Sequence, residues 1–151
     1  MKIGFFTDSY FPQVNGVTTA VSACADALIK QGHQVYIVAP NYPGVVDKKN
    51  VIRLFSVKAD SHPRVRVAVH LPEKAFLKLL KIDFDIIHGH SGGAVTFLGW
   101  EIARLKRIPY VCTYHTSWAL YRHYFLNGRI NAKTIQGIIR IFCNLSDHLI
   151  A

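Results

Sequence analysis

Three short stretches hold the residue types that chemistry needs: "DSYFPQVNG" (8–16), "GHSGG" (89–93) and "YHTSW" (114–118). In the first, Gly16 precedes a predicted helix, whose first turn offers unpaired backbone N–H groups and the positive end of a dipole. That setting suits a phosphate. A residue without a Cβ also lets a ligand approach the backbone closely. Yet "NGVTTA" is not GxGxxG, the next strand ends in "APNY" with no acid for a ribose, and no Walker A sequence occurs. A nicotinamide dehydrogenase and a P-loop NTPase are thereby set aside. A plain turn-forming Asn-Gly fits the same residues.

The second stretch formally matches a GxSxG nucleophile elbow, with a strand before it and a helix after it, and Ser91 as nucleophile. A serine hydrolase also needs an acid and a histidine downstream on separate loops. The only acids there are Glu101, inside a predicted helix, and Asp147, next to His148. The hydrolase therefore ranks second. The competing account is a glycine-rich strand-to-helix turn with Ser91 near the N-cap. His88 and His90 point the same way along a strand, and His115 could join them. No Asp, Glu or Cys accompanies them at ligand spacing, so the set falls short of a zinc site. His115, beside two hydroxyls just past a strand, can hydrogen-bond a substrate, accept a proton, or serve as a structural histidine.

The elements that must position these loops follow from hydrophobic patterning. Strands are predicted at 2–7, 34–40, 50–57, 64–70, 83–90 and 109–115, with another starting at "DHLIA". Helices are predicted at 17–30, 72–81, 92–107 and 131–145, the first burying Val17, Val21, Cys24 and Leu28 and stopping at Gly32. Strands alternating with helices give an α/β fold with a doubly wound, mainly parallel, Rossmann-like sheet. All three loops then lie at the carboxyl ends of strands, where such sheets bind ligands. Residues 1–151 read as a single domain, and a final strand without a capping helix reads as the first half of something longer.

Half of the 151 residues are hydrophobic and 18% are charged, which suits a globular chain. No apolar run is long enough to span a bilayer, and no signal-peptide core follows Met1, so a cytoplasmic protein is expected. Cys24, Cys112 and Cys143 lack a CxxC pair and sit in apolar contexts, so buried free thiols are expected. The net charge of +9 suits nucleic acid, an anionic membrane face or an anionic small substrate. Helix 72–81 lines Lys74, Lys78 and Lys81 along one side, with Phe76, Leu77, Leu79 and Leu80 on the rest. That is either a solvated face or an interfacial helix meeting anionic lipid, reinforced by Arg64 and Arg66. Arg104, Lys106 and Arg107 suit a helix C-terminus.

Taken together, "MKIGFFTDSYFPQVNGVTTAVSACADALIKQGHQVYIVAP", "DFDIIHGHS", "IPYVCTYHTS" and "SDHLIA" resemble the N-terminal domain of a GT-B glycosyltransferase of family 4. The opening run is similar to bacterial diacylglycerol glucosyltransferases and related lipid glycosyltransferases. The resemblance spans essentially the whole chain. It implies retaining transfer of a sugar from a nucleotide-sugar, such as UDP-glucose, without a cofactor or a catalytic metal. It also implies an acceptor-binding role for this half, with most of the nucleotide-sugar held by a C-terminal domain absent here. The isolated chain is accordingly expected to be inactive.

By position, Gly16 would lie near the donor diphosphate. His115 would hydrogen-bond donor or acceptor sugar near the reacting centre, and Asp8, Asn15 and His90 would fall on acceptor-side loops. Many relatives carry two glycines where this chain has Asn15-Gly16. The implied partners are a lipid or other sugar acceptor and an anionic membrane surface, met peripherally on its cytoplasmic side, and not nucleic acid. A non-catalytic membrane-binding module stands as a further alternative.

Overall fold

The computed structural model describes residues 1–47, 49–59, 62–69, 74–115 and 131–150. Its elements run β1 (Lys2–Thr7), α1 (Gly16–Lys30), β2 (Gln34–Pro40), β3 (Val51–Leu54), β4 (Ser56–Ala59), β5 (His62–Ala68), α2 (Lys74–Leu80), β6 (Ile86–His90), α3 (Ala94–Lys106), β7 (Tyr110–Thr113), α4 (Ala132–Asn144) and β8 (His148–Ile150). Six strands form one sheet in the order β3-β2-β1-β6-β7-β8. Every pairing within it is parallel. The chain first winds outward from β1 to β3, then returns to lay β6 on the other side of β1. The reversal makes the carboxyl ends of β1 and β6 the switch point at which doubly wound sheets hold ligands in a crevice.

Burial on both faces explains why β1 and β2 read as continuous apolar runs and not as alternating ones. Alternate residues of β1 still serve different layers. Ile3 and Phe5 pack with Val21 and Ala25 of α1, while Phe6 packs with Val38, Ile87, Val95, Leu98 and Ile102 on the α3 side. Helix α1 begins at Asn15, whose Oδ1 accepts the Thr18 N–H at 2.9 Å. It ends beside Gly32, whose φ of +86° is the left-handed turn that stops a helix. Leu79, fully buried, seats α2 against the core.

Several sequence expectations are corrected. The segment 50–57 is not one strand: it breaks at Phe55, and β4 leaves the main sheet to pair antiparallel with β5. The strand predicted at 64–70 turns its valine side outward at Val67, which is exposed, while Ala68 is buried and Arg66 turns toward Ser56. It belongs to a separate two-stranded ribbon, because alternation reports one wet face and not which sheet a strand joins. Cys24 is exposed, Cys112 buried and Cys143 half-buried. The buried stripe of α1 runs instead through Thr18, Val21 and Ala25. Thr18 can be buried because its hydroxyl donates to the Gln13 carbonyl at 2.9 Å and pairs with Ser9 Oγ at 3.2 Å. The basic end of α3 serves its neighbours: Lys106 donates to the Leu80 carbonyl ending α2, and Arg104 to the Leu145 carbonyl capping α4.

Candidate functional site

The loops following β1, β6 and β7 meet at the carboxyl edge of the sheet. Asp8 opens the first, and its carboxylate crosses to the N-terminus of α3. It accepts the Gly93 N–H at 2.9 Å, the Val95 N–H at 2.8 Å, and the Thr96 N–H and hydroxyl at 3.3 and 2.8 Å. Burial raises the carboxyl above its ordinary value, against the lowering pull of those bonds. Gly93, the N-cap of α3, has no side chain to perform this task. A Cβ on it would collide with the Asp8 carboxylate, so the glycine makes room for a cap supplied from 85 residues away.

Asn15 is likewise occupied. Its Oδ1 caps α1, and its Nδ2 donates to Ser9 Oγ at 2.7 Å. The first loop is also braced by Arg53, which sequence reading did not single out. Its guanidinium pairs with Asp47 at 2.7 Å and donates to the carbonyls of Phe11 and Pro40 at 2.6 and 2.9 Å. Asp47 lies in the loop before β3, outside any regular element, so no periodic pattern announced the pair.

Gly16 differs from these neighbours. A Cβ added there would meet nothing within 4 Å, and its φ lies outside the left-handed region. Among the described residues, no acceptor faces the N–H of Gly16 or Val17, while the Thr18 and Thr19 N–H groups are used by Asn15. An open, positively polarised helix turn results.

The histidines form a cluster, because 88 and 90 on β6 and 113 and 115 on and after β7 share one face at period two. His88 Nε2 lies 2.6 Å from Thr113 Oγ1, and His90 Nδ1 lies 2.9 Å from His115 Nε2. The His88 and His90 rings are 4.0 Å apart, and Phe5 packs its ring 4.8 Å from that of His90. Burial, reinforced by neighbouring imidazoles, lowers His88 to about 4 and His90 to about 2; burial also lowers His115. All three are neutral at pH 7. His90 is only 2% exposed, whereas His115 is half-buried. Thr116 and Ser117, the hydroxyls flanking His115, lie outside the described residues. Among the described residues, no group of three His, Cys, Asp or Glu is arranged to hold a metal ion. His90 and His115 instead spend a nitrogen each on one another.

Ser91 has the strained backbone of an elbow, with φ of 101°, but it is buried and shares no hydrogen bond with a histidine or carboxylate among the described residues. The Asp8 carboxylate, bonded to Gly93 two residues on, is committed to capping α3. On the outer surface, Lys74, Lys78 and Lys81 are exposed beside Leu77, itself 59% exposed. Arg66 instead turns inward: it donates to Ser56 Oγ at 2.8 Å and to the Ser56 carbonyl, and lies over the Tyr42 ring. The Arg64 side chain lies outside the described residues, as do residues 72 and 73 of the predicted helix. No helix among the described residues is long and apolar enough to cross a membrane.

The model of the family "Glycosyltransferase Family 4" matches residues 14–151. An alpha-monoglucosyldiacylglycerol synthase of Streptococcus pneumoniae (strain ATCC BAA-255 / R6) is 35% identical over 153 residues, covering 99% of this chain and 35% of that protein. A namesake from Acholeplasma laidlawii is 31% identical over 128 residues, covering 82% and 32%. The chain thus spans about a third of the length of these relatives. Among solved structures, an alpha-glucosyltransferase in complex with UDP and a 13-mer DNA superposes with a TM-score of 0.52 at 21% identity, covering 99% of this chain and 37% of that one. At that identity the likeness speaks for the fold. These matches leave the Ser91 hydrolase without support. With its six-stranded parallel sheet and a family match over nearly its whole length, the chain belongs to glycosyltransferase family 4 and carries a Rossmann-like half of the GT-B fold.

Proposed function

We propose that this chain is the acceptor-side domain of a retaining glycosyltransferase. The complete enzyme moves a sugar from a nucleotide-sugar, such as UDP-glucose, to a membrane-associated acceptor, a glycerolipid. The observation that carries this reading is the open first turn of α1 at the switch point of the sheet. Two helix N-termini face the crevice, and Asp8 already fills that of α3. The Gly16 and Val17 amides are left for an anion, and a donor diphosphate matches them in charge and in its need for close backbone approach. A glycine there serves neither the backbone nor the packing of this chain, which favours a ligand over a plain turn.

His115 stands past the end of β7, with only β6 between that strand and β1. The strand ends are therefore about 10 Å apart, two strand spacings, which suits a sugar held beyond its own diphosphate. Asp8 and Asn15 shape the acceptor side by holding the loops, and His90 does so by holding His115. The glycerolipid acceptor is supported by the names of the two synthases and by apolar surface at the lip of the first loop, where Phe11 is 41% and Val14 73% exposed. The lysine face of α2, with its exposed leucine, suits peripheral contact with the anionic cytoplasmic face of a membrane. That contact accounts for the positive charge without nucleic acid. The rest of the nucleotide-sugar is gripped by a second domain beyond this one.

The test is transfer from labelled UDP-glucose to glycerolipid vesicles by the complete protein. His115→Ala should lower turnover on the order of 100-fold, the scale of losing one positioned hydrogen-bonding group. Undiminished turnover removes His115 from the site.

A further inference from the structure

We propose that His90 is a positioning residue that selects the tautomer of His115: the His90 Nδ1–H donates to His115 Nε2, so the His115 ring atom left for a ligand, Nδ1, carries a hydrogen. His115 then offers its ligand a hydrogen-bond donor, suited to a hydroxyl or phosphate oxygen, and not a base. This deepens the reading of His115 as a ligand-facing residue and rests on that reading for its functional meaning. The tautomer itself does not depend on it.

The geometry begins with the 2.9 Å separation of His90 Nδ1 and His115 Nε2. The two ring planes are only 20° apart and the centroids 5.2 Å apart. That centroid distance is what the N···N gap and the radii of two five-membered rings give when ring centres and nitrogens lie on one line. The rings therefore meet edge to edge, in plane, with a single hydrogen on the line between them. Phe5 and His88 pack against His90 at 4.8 and 4.0 Å, and His88 spends its own Nε2 on Thr113. His90 is thus the fixed member of the pair.

Which nitrogen owns the shared hydrogen is decided on the far side of His90. Its Nε2 is buried and has no hydrogen-bond partner among the described residues. If His115 donated, a neutral His90 would carry its hydrogen on that Nε2, as a buried N–H with no acceptor. Orphaned buried N–H groups are among the rarest features of native proteins. With His90 as donor, the orphan is a bare lone pair. The remaining N–H moves to half-buried His115, where solvent or a ligand oxygen can accept it. Burial keeps both rings neutral, so no second proton intrudes.

Long-range 1H–15N correlation spectra of the 15N-labelled protein at pH 7.5 read the tautomers directly. The expected result is a pyrrole-type Nδ1 and a pyridine-type Nε2 in His115. In His90→Phe, His115 should shift to the Nε2–H form that an unconstrained imidazole favours. His90→Asn, which places an amide N–H close to the lost Nδ1, should restore the Nδ1–H form. A wild-type His115 protonated on Nε2, or a tautomer indifferent to His90→Phe, overturns the proposal. Should His90→Phe not fold, the wild-type spectrum and His90→Asn decide it. If His115→Ala leaves transfer by the complete protein intact while the spectra come out as expected, the site reading fails and the tautomer selection stands.

Discussion

At the scale of single residues, side chains that look like ligand-binding groups divide into those spent on the protein and those left over. Asp8 is spent. Asp8→Ala would strip three backbone N–H groups at the start of α3 of their acceptor, the Thr96 hydroxyl keeping the His90 carbonyl, and should cost about 2–3 kcal/mol in chemical denaturation. An unchanged midpoint would mean that the cap is dispensable. Gly16 is left over. Gly16→Ala meets open space and exchanges a poor helix former for the best one, so stability should hold or rise by up to about 1 kcal/mol. In the complete protein the same methyl would stand between the backbone and a diphosphate, so transfer should fall, chiefly through a higher KM for the nucleotide-sugar. Lost stability with unaltered KM would make Gly16 a structural glycine.

At the scale of elements, α2 is the case in which one short helix serves two masters. Leu79 seats it in the core, while Lys74, Leu77, Lys78 and Lys81 face outward. Charge reversal with Lys74→Glu and Lys78→Glu leaves the buried side intact and should abolish co-flotation with anionic vesicles at low salt, since each lysine near such a surface contributes about 1 kcal/mol. Neutral vesicles should retain little of either protein. Flotation that ignores the reversal would move the membrane contact elsewhere or dismiss it. The β4–β5 ribbon, by contrast, uses Arg66 to fasten itself to Ser56, so its charge belongs to the fold more than to the surface.

At the scale of the whole molecule, the neutral histidine cluster ties stability to pH. His88 and His90 titrate near 4 and 2 when folded, against an ordinary value of 6.5. Below pH 6.5 the unfolded chain takes up protons that the folded one refuses, so stability is full above that value and is lost progressively as pH falls towards 4. The lowered His115 adds to this, while Asp8, raised in the fold, works in the opposite direction. Among the described residues, the groups facing His88 are His90, Thr113 and the Phe5 ring, with His115 contributing through its charge. Urea midpoints measured from pH 7.5 down to 5 should therefore decline. His88→Gln, which keeps a hydrogen-bonding atom for Thr113 but cannot titrate, should flatten that decline. A slope unaltered by His88→Gln would assign the acid sensitivity to other groups.

What the sequence determined by itself is whatever is written in local period and local chemistry. Long apolar runs separated by amphipathic helices specify a parallel α/β sheet. "NG" before a helix marks a turn, and HxH on a strand puts two imidazoles on one face. The family resemblance came from motifs of that kind taken in order. Tertiary structure decided everything that depends on which distant residues meet. Asp8 found α3, Arg53 found the first loop, and His90 found His115 because strands far apart in sequence became neighbours in the sheet. The local pattern of "VIRLFSV" could not show that the chain changes sheets at Phe55, nor could an apolar context show that Cys24 flanks the buried stripe of α1. Hydrophobic period depends only on whether a face is dry. The identity of a hydrogen-bond partner depends on topology, and no short stretch of sequence contains it.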